Sequence, residues 1–137
     1  MNIVVFVPEM GGAPGFEKVI SAHAQLPLET INILKEVNKE VILVTTKLKA
    51  NRSKPFNWPN ENSIRYVTDG KNRGKNTVMY DGPVQGYNYL KLCIQFFEVL
   101  LILKKEKIQI FHSFGTQKVA LFSSFIKIFL PSIKVYH

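Results

Sequence analysis

The run Ile3-Val4-Val5-Phe6-Val7 passes directly into Pro8-Glu9-Met10-Gly11-Gly12-Ala13-Pro14-Gly15-Phe16, an apolar β-branched stretch followed by a glycine-rich turn. Continuous apolarity without alternation describes a strand covered on both faces, as in a parallel sheet. Three further runs have the same character: Val41-Ile42-Leu43-Val44, Ile108-Gln109-Ile110-Phe111 and Ile133-Lys134-Val135-Tyr136. A weaker one, Ile64-Arg65-Tyr66-Val67, carries an arginine and reads as an edge strand. Between them, residues 27–38 place Leu28, Ile31, Leu34 and Val37 at helical spacing, with Pro27 suited to a first turn. Because that proline disfavours helical geometry at Leu26, residues 17–25 read as a short element of their own. Residues 87–105 and 117–129 give two more helices. The alternation predicts an α/β fold, a Rossmann-like doubly wound parallel sheet. Right-handed crossovers and the long connection over residues 69–107 give the strand order 3-2-1-4-5.

Composition bounds the answer. The chain has 137 residues, 46% apolar and 20% charged, which fits one globular domain and excludes a disordered chain. Lys and Arg exceed Asp and Glu by eight, favouring an anionic partner. The single cysteine, Cys93, excludes a disulfide scaffold or a zinc cluster and fits a reducing cytoplasm. Glu9 and Asp69 stand on different strands, so no carboxylate cluster, no metal and no cofactor is expected. A doubly wound sheet normally covers its last strand with another helix. None remains after Tyr136, so either a partner covers that edge or, the reading favoured here, the single domain is truncated after strand 5 and is the front part of a longer protein.

In the order 3-2-1-4-5 the chain reverses between strands 1 and 4, and ligands bind at the carboxyl ends there. Three segments should meet: the loop with Gly11 and Gly12, the segment His112-Ser113-Phe114-Gly115-Thr116, and His137. Neighbouring strands lie about 4.8 Å apart, which brings the loop starts within roughly 10–15 Å. Glycines admit a ligand close to the backbone. The two histidines offer hydrogen bonding or proton transfer. The glycine spacing is neither a dinucleotide fingerprint nor a P-loop. His23, between the glycine loop and Pro27, reads as a surface residue.

The Gly-Gly loop, the "IFHSFG" of residues 110–115 and the closing "KVYH" of residues 134–137 together resemble the N-terminal domain of family 4 glycosyltransferases, enzymes of the GT-B architecture. In that family the front domain binds the acceptor, and a C-terminal domain, absent from residues 1–137, binds the nucleotide-sugar donor. The resemblance implies that Gly11, Gly12, His112 and Gly115 border acceptor and diphosphate, and that His137 assists catalysis. The family's loop runs from Gly-Gly into an acidic-basic pair, whereas Ala13-Pro14-Gly15-Phe16 intervenes here before Glu17-Lys18. The implied activity is transfer of a sugar to a lipid-linked or polysaccharide hydroxyl, in the cytoplasm or at the inner face of the cell membrane. A noncatalytic anion- or nucleic-acid-binding module, or one subunit of a split transferase, are the alternatives.

The loop after the second strand holds Lys47, Lys49, Arg52 and Lys54 beside Trp58, a mixture suited to an anionic membrane surface, a phosphorylated lipid acceptor or single-stranded nucleic acid. Residues 87–105 carry a narrow polar stripe (Asn88, Lys91, Gln95, Glu98, Lys105) on an otherwise apolar helix. Its apolar width exceeds what one sheet face covers, which points to contact with lipid or another domain.

Overall fold

The computed structural model describes residues 1–10, 22–37, 39–48, 51, 60–75 and 81–137. Five parallel strands form the main sheet: β1 (Asn2–Phe6), β2 (Glu40–Thr46), β3 (Ile64–Val67), β6 (Ile110–Ser113) and β7 (Lys134–Tyr136). Their spatial order is β3-β2-β1-β6-β7, which is the order expected from the crossovers once an inserted hairpin is counted. β3, with Arg65, is one edge and β7 the other. The hairpin is β4 (Lys71–Arg73) paired antiparallel with β5 (Val84–Tyr87), a separate two-stranded sheet between β3 and the next helix.

Three helices cover the sheet among the described residues: α1 (Ala22–Glu36), α2 (Tyr89–Lys105) and α3 (Gln117–Phe129). α1 packs alone on one face, where Ala24, Leu28 and Ile31 meet Val5, Val7, Val41 and Leu43. α2 and α3 share the other face. There Val99, Leu103, Phe122 and Ile126 close over Val4, Phe6, Val44 and Phe111. Phe6 is the centre of this half, with ring centroids 5.9 Å from Phe111 and 5.2 Å from Phe122.

Two local expectations are corrected. α1 starts a turn before Pro27 and runs through it, so residues 22–25 belong to the helix and form no separate element. Pro27 forfeits only the bond its N–H would make one turn back. Its ring is buried with Ala24, Leu28 and Ile31 on the core side, and Thr30 Oγ1 donates to the Leu26 carbonyl at 2.9 Å. Tyr87 ends β5 instead of opening α2. The helix begins after Asn88, whose side chain accepts from the Lys91 N–H at 3.0 Å as an N-cap.

Candidate functional site

The carboxyl ends of β1, β3 and β6 border a cleft of about 570 Å³. Pro8 and Glu9 follow β1, Asp69 and Gly70 follow β3, and Phe114, Gly115 and Thr116 follow β6. The hairpin adds Lys71 and Tyr87, α2 adds Leu92 and Gln95, and α3 adds Lys118 and Val119. The reversal between β1 and β6 is the place where a doubly wound sheet leaves such a crevice.

Charge holds the hairpin against this edge. Arg73 is the hub: Nη2 donates to Glu9 Oε1 at 2.6 Å and Nε to Asp69 Oδ2 at 2.7 Å. Lys71 Nζ reaches the same Glu9 oxygen at 2.8 Å. Glu9 and Asp69, isolated in sequence, thus meet through one guanidinium. Burial pushes the Glu9 pKa up, but the hydrogen bonds and charges of Lys71 and Arg73 outweigh it and hold the carboxyl below its ordinary value. A carboxylate so engaged is a poor proton acceptor and serves to shape the cleft. No group of acidic, histidine or cysteine side chains among the described residues is arranged to hold a metal ion.

Asn51 had no signal in the sequence, yet it ties two loops of this edge together. Fully buried, it donates from Nδ2 to the Pro8 carbonyl (3.0 Å), the Thr46 carbonyl (3.1 Å) and Thr46 Oγ1 (2.8 Å). Its Oδ1 accepts the Met10 N–H at 2.8 Å, and Thr46 Oγ1 donates to Pro8 O at 2.6 Å. The chain leading to Gly11 is therefore fixed up to Met10. An asparagine in a polar stretch looks like any loop residue; only its partners single it out.

On β6 the alternation of side chains separates the candidates. His112 shares its face with Phe114, stacked at 4.5 Å between centroids, and lies 6.1 Å from the Tyr136 ring. Burial, followed by the neighbouring His137 charge, lowers its pKa below the ordinary 6.5. Ser113 points to the opposite face, that of α3. Its Oγ lies 2.6 Å from Ser123 Oγ and 2.8 Å from His137 Nδ1. Ser123 gives its proton to the Val119 carbonyl at 2.9 Å. Ser113 Oγ also lies 3.3 Å from the Tyr136 carbonyl, so one hydroxyl joins Ser123, Tyr136 and His137.

The two imidazoles thus share the carboxyl rim but sit on opposite faces of the sheet, and neither lines the cleft. α3 presents Lys118, Val119 and Phe122 to the cleft, while Ala120, Ser124 and Lys127 form a shallow groove with His137. Gly115 does line the cleft. Its φ of +154° and the 2.7 Å that would separate an added Cβ from Val119 Cγ2 restrict the position to glycine. Lys47, half-exposed, pairs with Glu98 at 3.6 Å. Gly11, Gly12, Lys49, Arg52, Lys54 and Trp58 lie outside the described residues, as does the side chain of His23.

A central β1 flanked by β2 and β6, with a crevice at the carboxyl edge, defines a Rossmann-like α/β domain. Among solved structures, the chain is similar to the crystal structure of MurG from Acinetobacter baumannii, with a TM-score of 0.58 and 13% identity. The match covers 98% of this chain and 34% of that one, so the chain spans about a third of the MurG length. This likeness supports the fold. No family model and no curated protein matches the chain.

Proposed function

We propose that the chain is the acceptor-side half of a glycosyltransferase that moves a sugar from a nucleotide-sugar donor to a hydroxyl of a lipid-linked or polysaccharide acceptor. MurG is a glycosyltransferase of the GT-B architecture, and the observation that carries the reading here is the cleft itself. Its volume suits a small-molecule group. Lys71 and Lys118 stand on its walls, and the first turn of α3 opens into it at Gly115 and Thr116. Helix N-terminal amides and ammonium groups favour a phosphate or diphosphate. Lys118 Nζ rests over the rings of Tyr87 and Tyr89, at 5.6 and 5.9 Å from their centroids, which keeps the cation at the mouth.

In this reading the cleft orients the acceptor and its phosphate. His137 would reach the reacting hydroxyl only from the other side of α3. Gly11 and Gly12 would complete the diphosphate side. The protein works in the cytoplasm, or at the inner face of the cell membrane.

Titration with a short-chain polyprenyl phosphate, followed through backbone amide shifts, tests this. The signals of Gly115, Thr116, Lys118 and Lys71 should move together, and Lys118→Ala should weaken binding about tenfold. Binding of a single-stranded oligonucleotide that collapses with added salt, without any response to the polyprenyl phosphate, would assign the cleft to nucleic acid instead.

A further inference from the structure

α2 and α3 each bury one apolar face on the sheet and carry a second one outside. Two polar residues of the α2 stripe turn inward: Gln95 is buried and donates to the Thr68 carbonyl at 2.8 Å, and Glu98 accepts from the Thr68 N–H and hydroxyl. Solvent instead meets Leu90, Ile94, Phe97 and Leu101, spaced four, three and four residues apart along one line of the helix. α3 repeats the pattern with Leu121, Phe125 and Ile128. These side chains are well exposed: Leu90 is at 72%, Phe97 at 60%, Leu101 at 67% and Ile128 at 70%. The two helices lie side by side, joined through Phe96, whose ring is 6.3 Å from Phe125 and 5.5 Å from Phe129. The result is one broad apolar surface and not scattered exposed residues.

We propose that this surface docks on an anionic lipid membrane. Charge decides the occupant. Lys104 and Lys105 of α2 and Lys118 of α3 stand exposed along this surface, whereas Lys91 and Lys127 turn to backbone carbonyls. The one carboxylate on either helix, Glu98, is turned to Thr68 and Lys47, and α3 has none. A second copy would set lysines against lysines, whereas acidic headgroups neutralise them while the leucines and phenylalanines enter the acyl boundary. Both helices start at the cleft, so docking holds Tyr89, Leu90 and Lys118 beside the membrane and opens the cleft at headgroup level.

Flotation with vesicles of equal parts phosphatidylglycerol and phosphatidylcholine tests the surface. The chain should float at low salt, and should not float with phosphatidylcholine alone. Phe97→Glu combined with Ile128→Glu should lower partitioning about tenfold or more, with the thermal transition retained because both positions are exposed. An environment-sensitive dye on the exposed Cys93, beside Ile94, should shift to an apolar signal only with the anionic vesicles. Absence of flotation, or equal flotation of the double variant, overturns the proposal. So does a lipid-free dimer that the double variant dissociates, which would give the surface to a second copy. The vesicle assay reads no ligand in the cleft, so its failure leaves the sugar-transfer reading standing, and the reverse holds as well.

Discussion

The two ends of the sheet are closed by the same kinds of residue used differently. At the amino end, Asn2 Nδ2 donates once, to the Glu106 carbonyl at 2.9 Å, and Arg65 pairs with Glu106 at 2.8 Å where water reaches both. At the carboxyl end, Asn51 is sealed from water and engages both halves of its amide, and the largely buried Arg73 joins Glu9 and Asp69. The first pair ties down a helix terminus. The second fixes the loops around a cleft, so the polar groups that cost most to bury lie at its rim.

Substitutions at matched positions should expose that asymmetry. Asn51→Ala leaves the Met10 N–H and two carbonyls without this partner and should destabilise the fold by about 3 kcal/mol, against about 1 kcal/mol for Asn2→Ala. Equal losses in urea denaturation would erase the distinction. Next, Arg73→Met takes the guanidinium from Asp69, leaves Glu9 to Lys71 alone and should cost about 2 kcal/mol, while Glu106→Gln at the wetter end should cost about 0.5 kcal/mol. The smallest effect is a titration. The folded pKa of His112 lies below its ordinary 6.5, so the unfolded chain binds the proton more readily. The stability contributed by this group is complete above pH 6.5 and declines as pH falls through that value toward the folded pKa. His137→Asn should raise the His112 pKa in an NMR titration without restoring it fully, because burial is the larger cause.

The sheet order was legible because its strands carry apolar side chains to both faces, and Arg65 marked the edge of β3. The hairpin was not. Lys71-Asn72-Arg73 and Val84-Gln85-Gly86-Tyr87 have no apolar face, since charges and not burial hold them to the sheet. Pro27 misdirected the start of α1 because local proline sterics were outweighed by a buried face of Ala24, Leu28 and Ile31. The histidines could be placed on the carboxyl rim from strand order alone. That they face opposite sides follows from whether His112 or Ser113 points to α3, a one-residue matter of register. The excess apolar width of α2 could be read, whereas the inward turn of Gln95 and Glu98 depends on Thr68, far away in sequence.

Among the described residues the hairpin shares no ladder bond with the parallel sheet, and its grip on the rim runs chiefly through Glu9 and Asp69, side chains supplied by the host domain. Such an insert is an interchangeable jaw. Its length and composition can be altered without shifting the register of any parallel strand, provided the two acidic anchors stay, so one wall of the cleft can be rebuilt while the scaffold beneath it is left as it is.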